Sequence, residues 1–431
     1  MYAWFRKARR AVKNELKRTH ARFKRSRSKA TFVAVTGSSA KTTTVALLSH
    51  ILSGTAKVKT QAGDNRLLST LQTLGNVRRE HDYVVCEIGA AGPGTLKPIF
   101  DLIKPSVGIV TLVGLEHYTA FRSKEAVAKE KGALVEVLPQ SGLAILNKDD
   151  ARVLAMQDLT KARVVTFGQS EADYSNDELI STALGGLVFM LTHRDHQIRL
   201  ETRLTGAQNR LAVSAAAACA LELGVSEETV IQRVASFEPV FGRLSIHAID
   251  GGPTFILDTW KAPYHSIPMT LDVLRDCVAP RKRFVLGNIS DYAGNPRPKY
   301  RDTYRAARDV ADQVIFVGDN SHRSKATREE IEAGKFVALR SIQQLSNYIK
   351  STAVPGEVIL LKGSGTSHFE RVMLDWETDV RCWSDACGKG KDCVKCGLYN
   401  TPFAEHRGKA AKLKSGRGKW LASWRSTPRL T

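Results

Sequence analysis

Residues 35–44 read VTGSSAKTTT, and this stretch decides the fold class. An apolar run at 32–35 precedes it, and VALLSHIL, which has helical spacing, follows from Val45. A strand, a Gly-Ser turn and a Lys-Thr pair opening a helix form the layout of a phosphate-binding loop. Its backbone N–H groups, the Lys41 ammonium and the Thr42 hydroxyl suit a polyphosphate and its Mg²⁺. A helix cap without a ligand is the competing interpretation.

Short apolar runs typical of buried parallel strands alternate with helical segments through most of the chain. The runs lie at 32–35, 83–89, 107–114, 143–147, 284–287, 313–318 and 358–363. The alternation predicts an α/β protein, with a P-loop-containing central domain built on a mainly parallel sheet and a smaller Rossmann-like C-terminal domain. We expect a basic amphipathic arm at 1–30, a central ATP-binding domain at 31–245, an α/β domain at 246–373, and a cysteine element with a basic tail at 374–431.

The net charge of +21 is concentrated at the two ends of the chain. Residues 1–30 hold twelve Lys and Arg against Glu15, and residues 405–431 hold eight against Glu405, so the ends carry 18 of the 21 charges. The central part is therefore not a basic protein, and nucleic acid is an unlikely partner. Neither an apolar run of transmembrane length nor a secretory signal pattern is found, so a cytoplasmic location is expected.

The seven cysteines fall into two groups. Cys86, Cys219 and Cys277 are scattered in apolar or helical contexts and are expected to be buried thiols. The other four follow the pattern C-x4-C-x5-C-x2-C, which is spaced for one tetrahedral Zn²⁺. A redox pair, an iron–sulfur cluster and free thiols are the alternatives. These four cysteines are Cys382, Cys387, Cys393 and Cys396.

Nine stretches in order resemble the motifs of the Mur ligase family, ATP-dependent enzymes that join a carboxylate to an amine. The resemblance covers roughly residues 31–373, and the wording is closest to the subgroup that adds D-alanyl-D-alanine to the peptidoglycan precursor. The stretches are TGSSAKTTT, CEIGAAGPGT, TLVGLEHYTAFRSKEAVAKEK, LAILNKDD, GAQNRLAVSAAAACA, FEPVFGR, ILDTWKAPYHSI, VLGNISDYAG and LLKGSGTSHFERV.

The resemblance implies a set of site residues for ATP and Mg²⁺. Lys41 would contact the phosphates as a catalytic residue, together with His117 and Lys131. Thr42 and Glu87 would hold one Mg²⁺, His117 a second, and Lys131 would carry a carbamate; a helix-end salt bridge for Lys131 and a surface imidazole for His117 are the competing interpretations. The nucleotide would be bound by Gly37, Ser38, Ser39, Ala40, Lys41, Thr42, Thr43, Asn209, Arg243 and Asp258.

Several positions depart from the family pattern or stay open. Ala40 replaces the loop glycine, which costs about 1 kcal/mol if the residue takes a positive φ and little if it does not. Lys261 is a hypothetical γ-phosphate contact, and Lys362, Ser364 and Glu370 are expected to build the last strand and turn of the second domain. The remaining replacements are Gln208 for a His, Ala212 for an Asn and Ala133 for a Glu.

The start of the chain also departs from the family. Only about 30 residues precede the first strand, so the usual domain that binds uridine diphosphate is not expected, and the carboxylate substrate stays open. Residues 2–24 place Trp4, Ala8, Val12 and Leu16 at i+4 steps among Lys and Arg. That pattern suits an anionic membrane surface, docking to the rest of the chain, contact with nucleic acid, or a solvated helix. The tail around Trp420 and Trp424 has the same ambiguity.

The combined expectation is an ATP-dependent ligase that forms an amide bond through an acyl phosphate, in cell-wall or cell-surface polymer synthesis. A catalytically weakened scaffold that keeps the fold is the alternative, motivated by Ala40, Gln208 and Ala212. A nucleic-acid-binding ATPase rests on the terminal charge alone.

Overall fold

The computed structural model describes residues 2–169, 171–194, 196–385, 387–390 and 392–406, and the chain divides into two compact units. The first unit contains the chain up to Ser181, Leu187–Arg203 and Ala207–Glu238. The second contains Thr182–Gly186, Leu204–Gly206 and the chain from Pro239 onward. The tail around Trp420 and Trp424 lies outside the described residues. Among those that are described, no helix is both long enough and apolar enough to cross a bilayer.

The first unit is built on a large, mainly parallel sheet, which confirms the predicted fold class. Its strands are β1 (Thr31–Thr36), β2 (Val58–Gln61), β3 (Tyr83–Glu87), β4 (Val107–Val110), β5 (Leu143–Asn147), β6 (Arg163–Gly168), β7 (Tyr174–Ser175), β8 (Leu179–Ala183), β9 (Gly186–His193) and β10 (His196–Thr202). The order is β10-β9-β7-β6-β5-β4-β1-β3-β2, with β8 beside β9. In the part of the sheet ordered β7-β6-β5-β4-β1-β3-β2, all neighbouring strands pair in parallel.

The strands at the far side of this sheet are antiparallel, and the sequence analysis did not predict them. β9 pairs antiparallel with both β7 and β10. β9 buries every second residue, and β10 also alternates. Such alternation is the signal of a half-exposed strand and could have located this extension.

Helices connect the strands of the first unit and cover its sheet. They are α1 (Tyr2–Ser26), α2 (Lys41–Leu52), α3 (Leu67–Gly75), α4 (Lys97–Ile103), α5 (Tyr118–Phe121), α6 (Lys124–Glu136), α7 (Ala151–Leu154), α8 (Arg210–Glu222) and α9 (Glu227–Ala235), with 3₁₀ turns at Ala155–Leu159 and Ala207–Asn209. The Ser123 side chain caps α6 by accepting from the Ala126 N–H. The Ala-rich α8 packs against α2, because small side chains let two helices approach closely.

The second unit has a six-stranded sheet, parallel apart from one edge strand. The strands are β11 (Ser245–Ala248), β12 (Thr254–Asp258), β13 (Lys282–Leu286), β14 (Gln313–Val317), β15 (Phe336–Leu339) and β16 (Val358–Lys362), in the order β11-β12-β16-β13-β14-β15. β11 pairs antiparallel with β12. The helices are α10 (Ile267–Asp276), α11 (Pro296–Arg308), α12 (Arg328–Glu332), α13 (Ile342–Thr352), α14 (Glu370–Leu374) and α15 (Cys393–Cys396), with 3₁₀ turns at Tyr264–Ser266, Ser321–Arg323 and Phe403–His406.

Hydrophobic clusters lie on both faces of the second sheet, as a doubly covered parallel sheet requires. A charged pair is buried with them: the Arg283 guanidinium lies 3.0 Å from the Glu357 carboxylate, and both side chains are fully buried. Cys86, Cys219 and Cys277 are buried, as expected. Burial raises the pKa of Cys86 to about 12, so this thiol stays neutral at physiological pH.

Candidate active site

The predicted phosphate loop joins β1 to α2 and has the backbone that such a loop needs. Gly37 has φ 145°, and a Cβ there would lie 1.8 Å from Thr111 Oγ1, so glycine is required. Ala40, the residue before α2, has φ 65° and no side-chain oxygen to cap the helix. The first N–H groups of α2 therefore stay available to an anion. The Lys41 ammonium, largely buried, donates to the Gly37 carbonyl.

The open question about Ala40 is thus answered by its backbone. A left-handed conformation brings Cβ close to a neighbouring carbonyl, at a cost of roughly 1 kcal/mol relative to glycine. The loop keeps this conformation because its neighbours fix it. Ser38 N–H donates to Leu112 O at 2.8 Å, the Ser38 hydroxyl to Gly114 O at 3.0 Å, and the Thr111 hydroxyl to Ser39 O at 2.7 Å.

Three adjacent parallel strands bring the loop together with Glu87 and with the segment that contains His117. β1 lies between β3 and β4, with Val35 opposite Glu87 and Thr36 opposite Val110. The loop, Glu87 and residues 111–117 consequently meet at the carboxyl edge of the sheet, where ligands bind in open α/β folds.

The Glu87 carboxylate is buried and oriented by two groups that the sequence analysis missed. The Gly63 N–H donates to one oxygen at 2.7 Å, and the Asn65 amide donates to the other at 3.4 Å. Gly89 lies so close that a Cβ there would be 2.3 Å from Asn65 Nδ2. A buried carboxylate held at a phosphate loop suits a hard divalent cation.

Lys131 is paired with Glu116, a residue that the sequence analysis did not select. The Lys131 ammonium donates to the Glu116 carboxylate, with 0% and 8% of the two side chains exposed. This is a buried salt bridge, but Lys131 lies in the middle of α6 and not at a helix end, as the competing interpretation had it. His117, directly after Glu116, is half-buried and has φ 45°, a costly conformation for this residue that is often found at functional sites.

The sequence analysis also missed Glu130, a buried carboxylate on α6. Glu130 accepts from the Gly94 N–H at 2.6 Å and from the Leu96 N–H at 2.7 Å. It therefore fixes the Gly-rich turn after β3 at the same edge of the sheet. Glu130 is separated from Ala133, where the family has a Glu, by less than one helical turn.

The remaining nucleotide-binding residues of the first unit lie at the start of α8. Asn209 ends the 3₁₀ turn before that helix and is half-buried. Gln208 is also half-buried, whereas Ala212 is fully buried against the helix packing. The alanine at 212 therefore lies in the core, and its replacement of an Asn removes a polar group from that place.

In the second unit, the Asp258 carboxylate already has hydrogen-bond partners within that unit. Its carboxylate accepts from the Lys362 ammonium and, at 3.2 Å, from the Thr270 hydroxyl, because β12 and β16 place Asp258 opposite Lys362. The Arg243 guanidinium lies 6.0 Å from the centre of the Trp260 ring, and Lys261 is exposed.

The expected role of Lys362 in the last strand agrees with its position in β16. Glu370, by contrast, turns toward the cysteine element. Its carboxylate accepts from the Cys393 N–H at 2.8 Å. Ser364, Glu370 and six other residues line a cavity of about 210 Å³ in the second unit: Thr259, Trp260, Gly365, Thr366, Gly390 and Asp392.

The first unit thus combines an uncapped helix start, a buried lysine and a buried glutamate at the carboxyl edge of a parallel sheet. This combination defines a nucleotide-binding protein of the P-loop type. The residues fit ATP and Mg²⁺: the uncapped N–H groups of α2 and the Lys41 ammonium suit phosphate oxygens, and the buried Glu87 carboxylate suits the cation.

Comparisons with known proteins give the family. Residues 35–220 match the model of the Mur ligase middle domain, and residues 242–365 match that of the Mur ligase glutamate ligase domain. A UDP-N-acetylmuramoyl-tripeptide–D-alanyl-D-alanine ligase of Mycobacterium tuberculosis is 27% identical over 387 residues, 83% of this chain and 74% of the relative. The enzyme of that name from Escherichia coli K12 is 27% identical over 81% of this chain and 77% of its own.

Solved structures agree with this result. A crystal structure of MurF from Acinetobacter baumannii has a TM-score of 0.74 at 25% identity, covering 83% of this chain and 79% of its own. MurF of Thermotoga maritima in complex with ADP has a TM-score of 0.74 at 20% identity, covering 84% and 83%. The chain belongs to the Mur ligase family. It is an ATP-dependent ligase that forms carbon–nitrogen bonds, which confirms the enzyme expected from the sequence.

Proposed function

We propose that this chain joins D-alanyl-D-alanine, through its amine, to the terminal carboxylate of a peptide in the synthesis of a cell-wall precursor. The names of the similar ligases supply the substrates. The observation that carries the proposal for this chain is the meeting of the loop, Glu87 and residues 111–117 at one sheet edge. ATP transfers its γ-phosphoryl group to the carboxylate, which gives ADP and an acyl phosphate. The amine then attacks the acyl carbon, and the tetrahedral intermediate collapses to the amide with loss of phosphate and a proton.

The site residues of the first unit each have a role in this proposal. Lys41 and the N–H groups at the start of α2 bind the phosphates and balance charge on the transferred group. Thr42 and Glu87 would hold one Mg²⁺, which would neutralise charge at the phosphoryl oxygens. His117 would hold a second. The Gly63 N–H and the Asn65 amide orient the Glu87 carboxylate by donating to its two oxygens.

Lys131 enters the proposal as the carbamate that the family resemblance implies. Carbamylation needs the neutral amine, and the ion pair with Glu116 holds the ammonium. Conversion of the lysine to an anion would leave two neighbouring anions beside His117, and such a pair requires a cation. We therefore propose that carbamylation of Lys131 and binding of Mg²⁺ occur together.

Asn209, Arg243 and Asp258 enter as nucleotide contacts, and Asp258 must exchange its Lys362 partner for such a contact. A Zn²⁺ bound by Cys382, Cys387, Cys393 and Cys396 would be a structural ion without a part in this reaction.

A direct experiment is phosphate release from ATP with Mg²⁺ and D-alanyl-D-alanine. One arm supplies UDP-N-acetylmuramoyl-tripeptide and the other the same tripeptide without the nucleotide sugar. We expect release that needs both the amine and a carboxylate and that Lys41→Ala abolishes, while Lys124→Ala, an exposed lysine on α6, keeps it. Release that is independent of both substrates would refute the proposal, and the two arms identify the carboxylate.

We further propose that α1 contacts an anionic membrane surface. Val12, Leu16 and Phe23 are 61%, 67% and 53% exposed. At 100° per residue they share one face of the helix, about 160° from the fully buried Ala21, whose side packs on α3 and α4. Arg25 fixes the docked side by donating to Lys104 O at 2.8 Å. An outward apolar stripe among basic residues has the charge and shape that anionic lipid favours.

A further inference from the structure

The four cysteines of the C-terminal element line a single small cavity. Cys382 and Cys393 are buried, and Cys387 and Cys396 are half-buried. The cavity has a volume of about 10 Å³, which is room for one ion or one water. The sequence spacing alone suggested that these residues bind a metal together. In the structure all four line the same cavity. The other lining residues are His368, Arg371, Lys389, Leu398, Tyr399 and His406.

His368 and Glu370 add a hydrogen-bonded support to this cavity. His368 Nε2 lies 3.0 Å from Cys387 Sγ, and its Nδ1 lies 3.2 Å from the Glu370 carboxylate. Candidate ligand atoms of His368, Glu370 and Cys393 lie within 4.8 Å of one another. Carboxylate–imidazole pairs of this kind commonly orient the ligands of a bound metal. Neither residue was connected with the cysteines by the sequence analysis, because both lie before the element in the chain.

The element has little regular structure that could hold it in place. After Leu374 the described residues form the four-residue helix α15 and one 3₁₀ turn, yet Val380, Cys382 and Cys393 are buried. Its start is tied to α14 by the fully buried Arg371, which donates to the carbonyls of Cys382 and Ser384. A bound metal supplies folding free energy to segments of this kind.

We propose that this cavity binds one Zn²⁺ through the thiolates of Cys382, Cys387, Cys393 and Cys396. Binding forms four Zn–S bonds and releases one proton from each thiol. The resulting centre carries a net charge of −2, and cations are in place to balance it: the Lys389 ammonium lies 3.4 Å from Cys396 Sγ, and Arg371 lines the cavity. His368 acts on Cys387 as a positioning residue, since four thiolates complete a tetrahedral set.

The ion also fixes one wall of the larger cavity. Gly390 and Asp392, which lie between Cys387 and Cys393 in sequence, line the 210 Å³ space with Trp260 and Ser364. Asp392 caps α15 by accepting from the Lys395 N–H at 2.7 Å. Loss of Zn²⁺ is therefore expected to loosen the wall that Gly390 and Asp392 form, as well as the element itself.

The test measures metal in the purified full-length protein by elemental analysis. We expect about one zinc per chain, stoichiometric release when a mercurial reagent titrates the thiols, and, after Co²⁺ replacement, the thiolate-to-cobalt absorption of a tetrahedral site. Cys387→Ser and Cys396→Ser, at half-buried positions, should each lose most of the metal. Cys277→Ser, a buried cysteine of the same unit, is the matched control and should keep it.

His368→Gln separates the proposed ligand set from its alternative. It should retain one zinc per chain, with an affinity lowered about 10–100-fold against a competing chelator. Complete loss of zinc in this variant with retention in Cys396→Ser would overturn the four-cysteine set. Iron with visible absorption, a disulfide between any two of these cysteines, or a wild-type protein that binds no stoichiometric Zn²⁺ or Co²⁺ would each overturn the proposal.

Discussion

The Lys131 ammonium and the Glu116 carboxylate form an ion pair that is almost completely shielded from solvent. Removing one partner of such a pair leaves a buried charge without compensation. We expect Glu116→Gln to lower the free energy of unfolding by about 3–5 kcal/mol, measured by denaturant titration. The double variant Glu116→Gln with Lys131→Met should recover much of that loss, and a failure to recover would mean that the two residues act separately.

The same variant tests the carbamate. Glu116→Gln removes the anionic partner of the Lys131 ammonium, and the neutral amine is the form that reacts with CO₂. With ¹³C-labelled bicarbonate, we expect the NMR signal of a carbamate in the wild type when Mg²⁺ is present, and in Glu116→Gln even without Mg²⁺. Lys131→Ala is the control and should show none. A wild type that shows no signal under any of these conditions would remove the carbamate from the proposed site.

Ala40 offers a test of stored backbone strain. Because φ is 65°, Ala40→Gly should relieve strain, and we expect a gain of up to about 1 kcal/mol in stability with ATP affinity unchanged or improved. Ala46→Gly, in the interior of the following helix, is the matched control and should cost about 1 kcal/mol. A clear loss of ATP affinity in Ala40→Gly, measured by calorimetry, would show that the loop depends on the methyl group.

His247 predicts a dependence of stability on pH in the second unit. Burial lowers the pKa of His247 to about 4, whereas an unfolded chain has a histidine pKa near 6.5. Between these values the unfolded state binds more protons, so stability is full above about pH 6.5 and falls as the pH drops toward 4. The total loss is about 3 kcal/mol. His247→Gln should flatten this slope in denaturant titrations, and His322→Gln, an exposed histidine of the same unit, should not.

The outward stripe of α1 predicts binding to lipid. In flotation with vesicles that contain phosphatidylserine or phosphatidylglycerol, the wild type should bind and should be released by salt, since much of the attraction is electrostatic. Leu16→Glu should abolish most of the binding, whereas Leu159→Glu, at an exposed leucine outside α1, should have little effect. Equal binding to neutral vesicles, or none to anionic ones, would contradict this use of the helix.

The parallel part of the fold was predictable because buried strands are continuously apolar. The run at 143–147, for example, is β5 residue for residue. The antiparallel strands β9 and β10 were missed because their signal is an alternation of buried and exposed residues, which the search for continuous runs does not detect.

The site was predictable only where chemistry is encoded locally. The loop reads as a phosphate site from its own residues, but the conformation of Ala40 had to be seen. The pairing of Glu116 with Lys131 and that of Glu370 with Cys393 depend on how separate elements pack. Sequence spacing does not predict which separate elements pack together, so the partners of both glutamates could be identified only from the structure.

The close approach of Gly37 to the Thr111 hydroxyl limits which substitutions the loop can accept. Any side chain at 37 would collide with the threonine hydroxyl, and trimming residue 111 would still leave a φ that other residues rarely adopt. No single exchange at either position can compensate for a change at the other. Exchange at Gly37 is therefore expected to be purged, and saturation mutagenesis of position 37 should return near-uniform loss.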